Sequence, residues 1–559
     1  MATDFIPFKS IGLCFSGGGY RATFFSLGVL AYLDRIKYQD NSLLENVEAI
    51  SSVSGGTILG VAYSKAAQEN EFSFIDFYKK FYTHFEPKND ILLKTAVAKL
   101  EDDSVWATHS YKKRSLINAF ALTYADMDLF SEGFQKFKKP NSKHLKHVCF
   151  NSTEFSFGLA FRFQNTGMFG NKPLESKEFK ELKNKIQLGD VVASSSCFPL
   201  GFEPLVFPDD YFKDKNSPEY ISLKSLDCFI DGVGIMDGGI ADNQGIGSMI
   251  NISKLAERER ELDLIIVNDV SSFKMVPWEQ DTTDVQESSS IKSSISNILS
   301  YFSLKPIYWI TLLIGILILV LNSLEIIKGK SWASLYIIGG IISGFGILLT
   351  VFGSITSTIK KIGLSWISSL FKKNVPTVLV DEILTFKKLS VSLMKRMLTE
   401  RVTSTVLMVN DIFLKQIRRL NYKLLYASTS LRHKVITSTV YELNGEKTAY
   451  SKSFNYNKNI KPAPSKLLTS VGLTASEAPT SLWWDKKDIA KNRMDSLIAC
   501  GEFTTCYKLI DYILKLKNSS LEFDIEDKEA LDNLYKLLLK DWKEFNKNPL
   551  FQVENDKPI

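Results

Sequence analysis

The chain has 559 residues, enough for two or three domains. Its net charge of +6 is small for that length: it reads as solvated lysines, with weak support for an anionic membrane surface, and nothing points to nucleic acid. The six cysteines, Cys14, Cys149, Cys197, Cys228, Cys500 and Cys506, follow neither a disulfide-framework nor a zinc spacing, which predicts reduced core residues and a cytosolic compartment.

The N-terminus MATDFIPFKS is too polar for a secretory signal. Ile11 to Phe15 is a short uncharged apolar run, the mark of a buried strand. Gly17, Gly18 and Gly19 follow at once, and Ala22 to Ile36 is apolar all round, as a buried helix is. Val47 to Val53 is a second strand-like run; Ser54 ends it, and Gly55-Gly56 opens another helix. The chain therefore goes twice from strand through a tight small-residue turn into a helix. The first turn offers bare backbone N–H groups, which converge on an anion at a helix N-terminus. The second offers a hydroxyl, in the place where a nucleophile elbow holds its serine clear of the sheet. No Gly-Lys-Ser/Thr follows the glycine triplet, which excludes a P-loop.

Residues 66–140 read as helical and aromatic: a core-forming layer, with a lipid-touching cap as the alternative. His144 and His147 lie in KHLKHV among lysines, which reads as a solvated turn rather than a metal pair. HVCFNSTEFSFGLAFRFQN alternates as two strands and a turn, and ASSSCFP by itself is only a loop. In CFIDGVGIMDGGIADNQG, Asp231 and Asp237 each precede a glycine, and either pair alone is a turn. Leu262 to Val270 is the next buried strand.

Residues 276–300 are polar and serine-rich, a linker. Ile307 to Leu324 and Ala333 to Ile355 are uncharged, and each is long enough for a bilayer core of about 30 Å. Trp309, Tyr308, Trp332 and Tyr336 stand near their ends, so the pair is expected to be a transmembrane hairpin. Gly340 and Gly344 form a small-xxx-small pair for close helix approach or self-association. Lys305, Lys360, Lys361, Lys372 and Lys373 outnumber Lys328 and Lys330 of the short loop, a bias that places both flanking parts on the cytoplasmic side. Leu389 to Leu420 reads as a long amphipathic helix, and Tyr422 to Tyr426 and Val435 to Leu443 as strands. Leu531, Leu534, Tyr535, Leu538, Trp542 and Phe545 line one face of a last helix, expected to dock on its own domain.

Ser16-Gly17-Gly18-Gly19-Tyr20-Arg21-Ala22, Ser54 in its elbow and Asp237-Gly238-Gly239 together resemble the patatin-like phospholipases. The SGGGYRA wording is also similar to the animal cytosolic phospholipases that share the fold. Ser52 replaces the first elbow glycine, and Ala22 a glycine of plant patatins. The resemblance implies a three-layer α/β/α hydrolase fold, here with the transmembrane helical hairpin inserted, and a Ser–Asp dyad with no histidine. It favours Asp237 over Asp231, since Asn243 follows at the family's interval, and it marks LGDVVASSSCFPLGFEP as the small-residue helix and proline turn beside the nucleophile. It implies Ser54 as nucleophile, Asp237 as base, Gly17 to Gly19 as oxyanion hole, and Arg21 on a lipid phosphate or in an internal pair. The expected domains are 1–275 and 357–515 for the hydrolase, 276–300 for the linker, 301–356 for the hairpin and 516–559 for a charged amphipathic helical tail. The expected activity is phospholipase A-type hydrolysis of membrane glycerolipids, without metal or cofactor. A thioesterase or esterase on soluble substrates, and an inactive membrane scaffold, are the alternatives.

Overall fold

The computed structural model describes residues 5–255, 261–271, 306–362, 407–445 and 456–558, with 396, 400, 403 and 404, and without 89, 139, 172–173, 175–181, 200, 325, 327–331 and 520. It forms two compact units, Met1–Met275 with Ile412–Ile559, and Val276–Asp411. The linker at 276–300, most of the helix read at 389–420, and the lysines behind the orientation argument lie outside the described residues or side chains.

The first unit is built on one mixed sheet. Its strands are β1 (Ile11–Phe15), β2 (Val47–Val53), β3 (His147–Glu154), β4 (Leu159–Gln164), β5 (Leu205–Phe207), β6 (Val233–Asp237), β7 (Leu264–Asp269) and β8 (Val435–Thr439). The order is β8-β7-β1-β2-β3-β6-β5, with β4 also on β3. From β8 to β3 neighbouring strands run parallel; β4 and β6 are antiparallel to β3, and β5 to β6. Uncharged β1 is buried along its whole length, as a strand covered on both faces must be. Register then sets the height of the turns: Val53 lies beside Asn151, and the next residue of β3, Ser152, lies opposite Asp237. The end of β2 and the end of β6 therefore meet across one intervening strand.

The helices named below are α1 (Gly19–Arg35), α2 (Gly55–Ala66), α3 (Phe74–Phe85), α4 (Leu188–Ser195), α5 (Pro306–Ser323), α6 (Ala333–Ile362), α7 (Leu414–Ala427), α8 (Arg493–Lys517) and α9 (Ile525–Lys547). Phe74, Phe77, Tyr78, Phe81, Tyr82 and Phe85 of α3 are all buried, so this aromatic segment is a core layer. Tyr422 to Tyr426 is not a strand but part of α7. Aromatic residues favour strands, yet Arg418, Tyr422 and Leu425 recur at helical spacing on one face. Helix α9 buries Leu531, Leu534, Leu538, Trp542 and Phe545, with Trp542 against Tyr507 of α8 and Asp541 paired to Arg35 of α1 at 3.0 Å. His144 and His147 are not in a solvated turn. His144 is bonded to the Tyr63 hydroxyl at 2.9 Å, burial lowers its pKa to about 4, and His147 is a buried residue of β3.

In the second unit α5 and α6 pack side by side. A Cβ on Gly315 would overlap Ser343, and one on Gly346 would overlap the Leu312 backbone. Gly340 and Gly344, the pair expected to bring helices together, have nothing within 4 Å of such a Cβ; they lie off this contact, and association of copies through them has no support. The Asn322 side chain ties both the N–H and the carbonyl of Trp332 at the turn. Among the described residues no helix is long and apolar enough to cross a membrane. Spanning needs roughly 20 apolar residues, whereas side chains are described only over 309–323 and 333–348 of these helices. The expected spanning hairpin is therefore unsupported as a membrane-crossing element, although the two helices do form a hairpin.

Helices α1 and α8 meet almost backbone to backbone. A Cβ on Gly28 would overlap the Ile498 carbonyl oxygen, and one on Gly501 the carbonyl oxygen of Phe25. Gly28→Val should cost about 3 kcal/mol by forcing these helices apart. Denaturant unfolding of the purified chain checks this; an unchanged midpoint would contradict the contact.

Candidate active site

Ser54 lies between β2 and α2 with φ 51 and ψ −125, a left-handed conformation that L residues other than glycine rarely take. The neighbours make the turn possible. A Cβ on Gly55 would overlap the Gly19 carbonyl, and one on Gly56 would lie 2.6 Å from the Ser16 carbonyl oxygen. The glycine loop thus presses directly on the elbow, and only glycine fits at either position. Ser52, standing where an elbow glycine is usual, is accommodated from the other side. Its Oγ would be 2.6 Å from a Cβ at Gly60, and the space left by that glycine lets Ser52 bond to Thr57 at 3.0 Å.

The Ser54 hydroxyl donates to Asp237 Oδ2 at 2.6 Å. The other oxygen, Oδ1, accepts from the Gly239 N–H at 2.7 Å, so the carboxylate is fixed in rotation. Both side chains belong to buried residues. Burial raises the Asp237 pKa from 3.8 to about 6, against the opposing pull of the hydrogen bonds from Ser54 and Gly239. A carboxylate so desolvated is a far better proton acceptor than one in water. Asp231 lies instead in an exposed turn ahead of β6, where Gly232 has φ 75.

Gly18 and Gly19 have φ 139 and 56, and α1 begins at Gly19. The three glycines are not equivalent. The Gly17 N–H is engaged with the Asn243 carbonyl at 2.8 Å, while those of Gly18 and Gly19 have no described partner. They are among the orphan donors of a helix N-terminus, where the macrodipole favours negative charge. Arg21 points its Nη1 at the Tyr441 hydroxyl, 2.5 Å, and the Ser476 carbonyl, 3.3 Å; its Nε is buried with no hydrogen bond. It therefore has partners within the fold.

Two further residues hold the site together. Ser195, at the end of α4, accepts the Ser54 N–H at 2.9 Å and donates to the Asn151 carbonyl at 2.6 Å. Its sequence signal was only one serine among three in ASSSCFP. Asn243 holds Gly17 by its carbonyl and reaches Ser271 with its side-chain amide at 2.6 Å. Its interval from Asp237 was visible, but its role as a clamp on the glycine loop was not. The Asp237 N–H is held by the Cys197 carbonyl at 2.9 Å, so the segment after α4 braces both halves of the pair.

Residues 13–250 match the family model described as patatin-like phospholipase. No curated protein matches the chain. Among solved structures, VipD from Legionella pneumophila aligns with 12% identity over 99% of this chain and 88% of that one, at a TM-score of 0.21. That score is too low to bear on the fold.

The raised pKa has a thermodynamic sign. Asp237 binds its proton more tightly folded than unfolded. Its contribution to stability is therefore greatest below pH 3.8 and is lost as pH rises through about 6. Asp237→Asn, which can still accept from Gly239 and donate to Ser54, should be more stable than the parent by about 2 kcal/mol at pH 7.5. That gain should vanish near pH 4. Unfolding curves at the two pH values check it, and an equal difference at both would refute it.

Proposed function

We propose that this chain, which carries a patatin-like phospholipase domain and is thus a serine hydrolase acting on carboxylic esters, is a membrane-anchored lipid acyl hydrolase of phospholipase A type. The observation that carries the reading is the 2.6 Å hydrogen bond from Ser54 Oγ to the buried Asp237. Asp237 takes the Ser54 proton as Oγ attacks the acyl carbonyl carbon. The carbonyl oxygen becomes an oxyanion and is met by the N–H groups of Gly18 and Gly19 at the start of α1, with Gly17 serving as the fixed base of that loop. Donors of this kind are typically worth about 2.7–4 kcal/mol each. The C–O bond then breaks, Asp237 returns its proton to the departing alcohol, and Ser54 carries the acyl group. Water, giving a proton to Asp237, attacks the acyl carbon; the bond from that carbon to Ser54 Oγ breaks, Asp237 returns the proton to Oγ, and the fatty acid is released.

Anchoring is supported by the outward faces of the α5–α6 hairpin. Trp309, Leu313, Ile314, Leu317, Ile341 and Phe345 are among its exposed large apolar residues, a surface that water does not stabilise. A hairpin held in the bilayer leaves both flanking parts in one compartment. The lysine bias of the sequence makes it the cytoplasm. Holding the hydrolase at the bilayer raises its effective concentration toward glycerolipid substrates.

Ser54→Ala should abolish covalent labelling by a fluorophosphonate probe and lower fatty-acid release from phospholipid vesicles by about 10³-fold or more. Equal release by parent and variant would remove the enzymatic reading, and activity confined to short soluble esters would favour the esterase alternative. Asp237 must be ionised to act as base. The kcat/KM of the parent should therefore rise with pH to a plateau above neutrality, with half its limit at a pH of about 6. A profile flat from pH 5 to 8 would exclude Asp237 from that role.

A further inference from the structure

Helix α7 has two faces of different chemistry. The inner one is committed to the hydrolase unit: Arg418 Nε donates to Asp269 at 2.7 Å, Tyr422 to the same oxygen at 2.9 Å, and Asn421 to Asp242 at 2.9 Å, while Leu425 is buried. The outer one faces solvent with large apolar side chains. Leu420 is 54% and Leu424 61% exposed, and Ile412 and Phe413 stand out just ahead of the helix. Arg419 and Lys423 are exposed beside them. A helix with apolar residues and cations on its free face is built for the boundary between lipid headgroups and acyl chains. Leucines enter the boundary while the cations meet anionic headgroups. The chain reaches α7 directly from the unit that contains the apolar hairpin, since that unit ends at Asp411.

We propose that the outer face of α7 is a membrane-docking surface of the hydrolase unit, and that its partner is a bilayer rich in anionic lipid. The proposal rests on the lipid-hydrolase reading, and it adds a second contact with the membrane, separate from the hairpin. Ile412, Phe413, Leu420 and Leu424 insert, and Arg419 and Lys423 select for negative headgroups. The inner face passes the seating on to the site. Asp242 precedes Asn243, whose carbonyl holds the Gly17 N–H, and Asp269 Oδ1 accepts from Ser271, which bonds the Asn243 amide.

The test uses the full chain as Ser54→Ala, so that vesicles remain intact, with Cys228→Ser to remove the one cysteine that is not buried. Leu424→Cys in this background carries a nitrobenzoxadiazole label and is reconstituted into phosphatidylcholine vesicles with or without phosphatidylglycerol. Label emission should rise about threefold more with phosphatidylglycerol than without, and Arg419→Glu with Lys423→Glu should remove that difference. Equal emission on both vesicle types overturns the proposal, as does a difference that survives the charge reversal. In the chain with Ser54 intact, the charge-reversed pair should cut fatty-acid release from anionic vesicles about tenfold while leaving turnover of a soluble short-chain ester unchanged; loss of both alike also overturns it. Should the parent hydrolyse no ester at all, the function fails while the label result still decides the docking surface.

Discussion

Everything in the site depends on one buried hydrogen bond, from the Ser54 hydroxyl to Asp237. A two-residue device has no histidine to relay a proton, so the carboxylate must itself be basic enough. Water would hold it at the acidity of an ordinary aspartate; burial raises it to about 6. The sheet supplies that burial by geometry. The two residues stand at the ends of strands separated by β3, and the antiparallel turn of β6 against β3 brings Asp237 to the height of the elbow.

The arrangement is costly to the folded state, and the rest of the unit offsets it. A buried carboxylate and a serine with positive φ both oppose folding, by roughly 1–3 kcal/mol each. Against them stand the near-contact of α1 with α8 at Gly28 and Gly501 and the burial of the α9 apolar face, from Leu531 to Phe545. Of these, α8 and α9 come from the far end of the chain. Part of what holds the site rigid is therefore remote in sequence from the elements that form it. Ser195 adds a direct bond: its hydroxyl accepts the Ser54 N–H and so fixes the strained backbone of the elbow.

What could be read from the sequence follows the range of the forces involved. The glycine triplet and the serine elbow are local turn chemistry, legible because only small residues tolerate such backbone. The apolar runs of β1 and β7 were equally plain. Ser195 and the Asn243 clamp were not, because Ser54 and Gly17, the residues they hold, lie more than a hundred residues away. Gly17 belongs with them: the sequence makes it one of three alike, and only the partner of its N–H sets it apart. Tyr422 to Tyr426 reads as a strand when taken by itself, whereas Arg418, Tyr422 and Leu425 together pack one face of a helix. His144 and His147 were misread because neighbouring lysines suggest solvent, whereas β3 takes His147 inward and Tyr63 reaches His144.

The inner face of α7 shows why an insertion can sit inside a hydrolase without disturbing its chemistry. Arg418 against Asp269 is an ion pair with the carboxylate fully buried, and leaving such a charge unpartnered would cost several kcal/mol. Asp242 is likewise buried. It accepts from the N–H groups of Gln244, Ile246 and Gly247 as well as from Asn421. The loop after Asp237 is thus organised from within by Asp242, and α7 is added to it from outside. A chain returning from a long insertion must find its place in the fold again. Two buried carboxylates, Asp242 in the short helix after β6 and Asp269 at the end of β7, give it a specific address, since a helix shifted by one turn would leave Asp269 without its cation. The same address lies one residue from Asn243 and therefore from the backbone of the glycine loop. Re-entry of the chain and the position of the Gly17 N–H are in this way linked through Asp242 and Asn243.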